Sequence, residues 1–250
     1  MLSLHKGYTM KTTEYIAFTI DRLPKGYVFT YKDFVNKVNK KEAVIKSLNR
    51  MAATGKIKKI AKGKFYKPEK TVFGELKPDQ YQFVKDLLEK DGKPIGYLTG
   101  YSIYNRLGLT TQVSNTIQIG RNETRSSFKR GQYKISFIKQ KNTITKENIP
   151  LLQILDVICY IKKIPDATIE SACKRIIAII KQIPEQKRKK MVRLAAKYPP
   201  STRALLGAIL EELGNVKLTS PLRKSLNPIT IYKMKGVEKA LITAEKWNIK

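Results

Sequence analysis

The stretch Gly55-Lys56-Ile57-Lys58-Lys59-Ile60-Ala61-Lys62-Gly63-Lys64-Phe65-Tyr66-Lys67-Pro68 decides the fold, because the apolar spacing changes there from helical to strand-like. Two short runs, Lys56 to Ile60 and Lys64 to Lys67, flank a turn at Gly63, which predicts a β-hairpin. Gly55 is placed as the residue that closes a preceding helix. That helix is expected from a cap at Asn39, with Glu42 three residues on, to about Thr54. Its apolar face is Val44, Ile45, Leu48, Met51 and Ala52, and its opposite face is Lys46, Asn49, Arg50 and Ala53. Further upstream, Thr30-Tyr31-Lys32-Asp33 has the spacing of an acidic capping motif and opens a second helix with Phe34, Val35 and Val38 inward. Tyr27-Val28-Phe29 reads as extended. A first helix runs from a cap at Thr12 through Tyr15, Ile16, Phe18, Ile20 and Leu23 until Pro24-Lys25-Gly26 stops it. Helix, short strand, helix, helix, hairpin is the order of a winged helix-turn-helix, assigned here to residues 1–70.

Downstream, Pro, Lys and Gly cluster between Pro68 and Pro78, which reads as a linker to a second domain over residues 76–250. In that domain Gln80 to Glu89 and Gly96 to Leu107 read as helices, and Ser114 to Ile119 and Tyr133 to Ile138 as strands. Gly120 to Gly131, with Arg121, Arg125, Lys129 and Arg130, reads as a polar connecting loop. From Ile149 onward the pattern is mainly helical, punctuated at Pro165, Pro184, Pro199-Pro200 and Gly214. The expected fold class is therefore α+β and mostly helical: an N-terminal winged helix-turn-helix, a mixed middle region and a helical C-terminal region.

Charge narrows the function. Fifty Lys and Arg stand against 20 Asp and Glu, a formal +30, while 42% of residues are apolar. An imbalance of that size is self-repelling and is normally matched by a polyanionic partner. Met1 to Thr13 has no continuous apolar core of a signal peptide, and no run approaches the length of a membrane span, so a cytoplasmic protein without membrane association is expected. Cys159 and Cys173 lie inside apolar periodic segments and suit a reducing compartment. With His5 the single histidine, neither a metal site nor a cofactor is expected.

The candidate DNA-binding residues follow from helical phase. Asn49 and Arg50 can pair with base edges in a major groove, and Lys40, Lys41 and Lys46 can hold phosphates. Thr30 and Tyr31, at the start of the preceding helix, join the set. Any surface helix of so basic a protein carries such residues, and the hairpin adds the discriminating signal. Seven lysines and one acid lie between Lys56 and Lys70, which makes Lys56, Lys58, Lys59, Lys62 and Lys64 an expected unbroken cationic ridge. A second basic cluster, Lys181 to Arg203 with Lys187, Arg188, Lys189, Lys190 and Arg193, reads as a solvated helix face, or as an extension of a nucleic-acid footprint. Tyr97, Tyr101 and Tyr104 recur at near-helical spacing and read as core or interface aromatics rather than a base-stacking platform. Pro165-Asp166 with Glu185-Gln186-Lys187 has the letters of a metal-dependent nuclease. That chemistry needs the acids at adjacent strand ends, whereas these flank helices, so no enzyme is expected.

With these features the chain resembles the AbiEi-type antitoxins, regulators of abortive-infection toxin–antitoxin systems. Three stretches carry the likeness: Gly26-Tyr27-Val28-Phe29-Thr30 leading into Lys41 to Leu48; Gly55-Lys56-Ile57 through Lys62-Gly63-Lys64-Phe65-Tyr66, similar to the family's wing; and Gly96-Tyr97-Leu98-Thr99-Gly100 through Leu107-Gly108-Leu109, then Asn115 to Ile119. The resemblance covers about residues 10 to 180. It implies a winged helix that binds inverted repeats in double-stranded DNA at its own promoter and represses the operon. It also implies a C-terminal region that counters a nucleotidyltransferase-like toxin without a stable complex. The alternative that composition leaves open is an RNA-binding protein using an extended cationic surface.

Overall fold

Ile16 and Ile20, one helical turn apart, are fully buried, and they fix the inward side of the first helix, Thr12–Arg22 (α1). The computed structural model describes residues 11–35, 41–72 and 74–250. The N-cap of α1 is Lys11 rather than Thr12: Lys11 is extended, and its N–H donates to Glu14 Oε2 at 3.2 Å, so Thr12 already lies inside the helix. Strand β1 (Val28–Thr30) leads into the short helix α2 (Lys32–Val35). At this junction Asp33 Oδ2 accepts from the Thr30 N–H at 2.7 Å and from Thr30 Oγ1 at 3.1 Å, as the capping spacing predicts. Helix α3 (Lys41–Ala53) follows; the expected cap at Asn39, and Val38 and Lys40, lie outside the described residues.

After α3 the chain forms β2 (Lys58–Ala61) and β3 (Lys64–Tyr66), joined at Gly63, whose φ of 70° is one that a side chain would strain. The three strands form an antiparallel sheet in the order β1-β3-β2, with Phe29 opposite Phe65. Phe29 meets Phe34 edge-on at 5.7 Å and stacks near Phe65 at 6.4 Å. These rings close a core with Ile16, Ile20, Val44, Leu48, Met51 and Ile57.

The stretch expected as a linker holds a ribbon instead, β4 (Glu69–Thr71) against β5 (Gly74–Leu76). Lys70 faces Glu75 across it, an opposite-charge pair of the kind that stabilises short antiparallel strands. The chain divides into two compact units, residues 1–85 and 86–250, and the boundary falls inside helix α4 (Gln80–Leu88).

The second unit begins with a small ribbon, β6 (Glu89–Lys90) and β7 (Lys93–Pro94). A four-stranded sheet follows, built from β8 (Gly96–Thr99), β9 (Thr116–Arg121), β10 (Phe128–Arg130) and β11 (Tyr133–Lys139) in the order β10-β11-β9-β8. β9 and β11 run parallel, and the outer pairings are antiparallel. Two expectations fail here. Gly96 to Leu107 is not one helix, because β8 pairs with β9 and Gly100, at φ 61° and ψ −132°, breaks the chain before helix α5 (Tyr101–Arg106). Gly120 to Gly131 is not all loop, because Phe128 pairs with Ile135 and packs 6.2 Å from Phe137, an apolar contact hidden by basic neighbours.

Five helices complete the unit: α6 (Ile149–Cys159), α7 (Ile169–Lys181), α8 (Glu185–Ala195), α9 (Pro200–Glu212) and α10 (Val216–Lys224). Short 3-10 segments cover Ile161–Lys163 and Ile242–Trp247. The fold class is α+β with large helical parts, as composition and periodicity predict. α6 is the central helix, buried continuously from Leu151 to Ile158. Its Asp156 accepts from Tyr97 Oη and Thr99 Oγ1 of β8, both at 2.8 Å, and from Tyr198 Oη, in the turn between α8 and α9, at 2.7 Å. Gln140 Nε2 donates to both tyrosine hydroxyls at 2.8 and 2.9 Å. On α9, Gly207 lies under the Trp247 ring, where an added Cβ would fall 2.2 Å from it.

Burial is the largest influence on Asp156 and holds its carboxyl above the usual carboxylate range, against the lowering effect of the hydrogen bonds from Tyr198, Tyr97 and Thr99. A carboxyl raised in this way binds its proton more tightly in the folded than in the unfolded chain. Its contribution to stability is therefore complete below the unfolded value and is lost as pH rises through the folded value. Asp156→Asn removes that titration. The Tm difference between variant and wild type is expected to move in the variant's favour as pH rises from about 4 to about 8. A difference independent of pH would show that Asp156 titrates normally. Gly207→Ala is expected to cost about 1–3 kcal/mol in denaturant unfolding through overpacking against the indole; an unchanged midpoint would contradict the close approach.

Candidate nucleic-acid interface

The outer face of α3 is set by what its inner face buries. Val44, Ser47, Leu48 and Met51 point inward, which leaves Lys41, Lys46, Asn49 and Arg50 exposed. Lys41 Nζ lies 5.2 Å from the centre of the Tyr31 ring, so the start of α2 and the start of α3 share one patch. Thr30 is half-buried and committed to Asp33, which makes it a helix cap before it is anything else.

The hairpin differs from an unbroken ridge. Lys56 Nζ pairs with Asp21 of α1 at 2.9 Å, and Lys58 Nζ with Glu75 of β5 at 3.3 Å. Both pairs are exposed, and surface pairs of this kind contribute about 0–1 kcal/mol, so a phosphate can replace the acid. A bulge at Ile60 shifts the register, leaving Lys59 opposite Phe65 and Lys64 half-buried opposite Ala61. Lys59 and Lys62 are exposed, and neither they nor Lys46 and Arg50 form an ion pair among the described residues.

Sequence reasoning gave Lys67 no role. Its Nζ caps the end of α1 by donating to the carbonyls of Asp21 at 2.6 Å and Leu23 at 2.9 Å. A basic residue just beyond a hairpin carries no local signal of that partner; only the fold brings the two together.

The other candidates are dispersed in the second unit. On α8, Met191, Val192 and Ala195 are buried while Lys187, Lys189 and Arg193 are exposed; Lys189 pairs with Glu185 and Lys190 with Glu147. Asp166 sits in a turn at φ 53° and accepts from Gln112, and Glu185 starts α8. Neither is at a strand end, and no group of three or more metal-ligating side chains occurs among the described residues. Cys159 and Cys173 are free thiols, and burial pushes that of Cys173 up to about 12. No helix among the described residues is long and apolar enough to cross a membrane.

Residues 15–213 match the profile of a family of unknown function, DUF6088. The chain belongs to the DUF6088 family. The matched span holds α3, the β2–β3 hairpin, the four-stranded sheet and α6 to α9, and it ends before α10. No curated protein matches this DUF6088 chain. Among solved structures it is similar to the RV2827C protein from Mycobacterium tuberculosis, at 13% identity and a TM-score of 0.45, over 90% of this chain and 85% of that one.

Replacing Lys67 with Met keeps the aliphatic stem and removes the cap. The first unit is expected to lose about 1–2 kcal/mol in thermal unfolding. Unchanged stability would mean that water satisfies the α1 carbonyls equally well.

Proposed function

We propose that this protein is a DNA-binding transcriptional autoregulator whose residues 11–66 work as a winged helix-turn-helix. One observation carries the reading. α3 exposes an amide and a guanidinium, Asn49 and Arg50, beside Lys41 and Lys46, and the hairpin after it exposes Lys59 and Lys62. Asn and Arg are the side chains that pair two-pronged with adenine and guanine in a major groove, while lysines meet phosphates without regard to sequence. The formal +30 supplies long-range attraction to the duplex. The further role as the antitoxin of an AbiE-type system, acting on inverted repeats of its own promoter and against a nucleotidyltransferase-like toxin without a stable complex, rests on the sequence resemblance alone. A cytoplasmic location follows from such a partner.

The test is binding to the duplex upstream of its own gene against a scrambled duplex, across a salt series. A preference on the order of 10³ is expected for an operator binder. Asn49→Ala and Arg50→Ala should reduce that preference, while Lys59→Ala and Lys62→Ala should weaken both duplexes equally. No preference at any salt would overturn the reading, and tighter binding to structured RNA would favour the RNA alternative. That alternative draws on the exposed Lys187 and Arg193 of α8. Glu75→Gln frees Lys58 from its acid; duplex affinity should rise and the salt slope steepen by about one phosphate contact. An unchanged slope would place Lys58 off the DNA.

A further inference from the structure

The four-stranded sheet offers one face to α6 only in part. Register places Thr99, Gln118 and Ser136 side by side on β8, β9 and β11, and Tyr97, Gly120 and Ile138 beside them. Tyr97 and Thr99 bind Asp156 of α6, so this is the face turned toward the helix. α6 ends at Cys159, and the β9–β11 part of the face lines open hollows.

Two adjoining hollows, which share Ile138 and Tyr160 as lining residues, make up the cleft. The smaller, about 180 Å³, is walled by Tyr101, Tyr104, Tyr160 and Lys163, with Gln118 on its floor. Tyr101 and Tyr104 meet edge-on at 6.0 Å, and Lys163 Nζ lies 5.3 Å from the centre of the Tyr160 ring. The larger, about 430 Å³, carries Lys139, Lys141 and Lys197 around Gln140, Asp156 and Tyr198. Asp156 is its single acidic lining residue, and three hydroxyl donors already occupy that carboxylate. The side-chain amide of Gln118 forms no hydrogen bond among the described residues, and Ser136 Oγ, next to it in register, is buried without a partner.

This combination is specific in its chemistry. Tyrosine rings give a flat apolar platform, an uncommitted amide reads a base edge, and lysines at the far end meet phosphate. A concave site of this size falls in the range of small-ligand pockets and cannot admit a base that remains stacked in a duplex. We propose that the cleft between the sheet and the end of α6 binds a nucleotide with an unpaired base, the base against Tyr101 and Tyr160 with Gln118 on its edge and the phosphate toward Lys139, Lys141 and Lys197. Two sources supply that chemistry, a free nucleoside phosphate and an unpaired nucleotide of a single strand. This site is built wholly from residues of the second unit and does not depend on the DNA reading.

The experiment titrates the full chain with each of the four nucleoside monophosphates by calorimetry, and with labelled single-stranded RNA and DNA octamers by anisotropy. Tyr160→Ala should weaken binding about tenfold to a hundredfold, and Tyr160→Phe, which keeps the ring, should leave it within about twofold. Gln118→Ala should change the preference among bases. Equal affinity for a monophosphate and an octamer assigns a free nucleotide; binding of octamers alone assigns a single strand. The proposal is overturned if no nucleotide or octamer saturates the protein. It is equally overturned if Tyr160→Ala, folded by circular dichroism, binds as wild type while Lys139→Ala does not, since that pattern is charge attraction without stacking.

Discussion

The carboxylate of Asp156 sits in the middle of a helix whose neighbours are apolar, and three hydroxyl groups from outside that helix point at it. Burying a charge without partners costs far more than a domain can spare, so the site is stable only when every donor is in place. Tyr97 and Thr99 bring β8, and Tyr198 brings the turn between α8 and α9. Gln140, just beyond β11, cross-links the two tyrosine hydroxyls, and its own Oε1 accepts from the backbone and side chain of Asn142 at 2.8 and 3.0 Å. Asn142 then reaches the Leu194 carbonyl of α8 at 3.1 Å. This polar network, together with the hydrogen bond from Gln153 Nε2 of α6 to the Leu98 carbonyl of β8 at 2.8 Å, sets the register of sheet against helix. Gly120 belongs to the same constraint: a Cβ there would lie 2.4 Å from the Tyr97 ring that delivers the hydroxyl.

The first unit is held differently. Its core is aromatic and aliphatic, and Ser47 is the one polar residue buried within α3. Polar contacts lie at its edges, as the Asp33 cap on α2, the Lys67 clasp on α1 and the exposed pairs of Lys56 and Lys58. Edge contacts are individually weak and exchangeable, which suits the proposed role, in which these lysines would change partners when a polyanion arrives.

What the sequence revealed follows the range of the interaction that decides each element. Gly55, Gly63 and the Thr30–Asp33 spacing act within a few residues, and the helix ends and hairpin turn they mark are where local chemistry puts them. The apolar run of α6 was equally plain. β8 was misread because Tyr97, Tyr101 and Tyr104 mimic a helical stripe, while the sheet partner that overrules it, β9, is contributed by residues well downstream. β10 was hidden by its basic neighbours, and the 69–76 ribbon by the flanking Pro68 and Pro78. Within the candidate interface the exposure of Lys46, Asn49 and Arg50 was legible from helical phase. The engagement of Lys56 and Lys58 was not, since Asp21 and Glu75 approach only through the fold.

Net charge by itself is a poor instrument of selection. A formal +30 attracts any polyanion, and counterion release is blind to sequence and to strandedness. Discrimination has to come from side chains whose hydrogen bonds are lost on a wrong partner, because an unmet buried polar group costs more than a met one gains. In the proposed reading those are Asn49 and Arg50 on a convex helix face, which reach bases that stay paired. In the proposed cleft site it is Gln118, which would reach only a base already out of its stack. The lysines can be similar in both places; the curvature of the surface that presents the amide decides which form of nucleic acid can satisfy it.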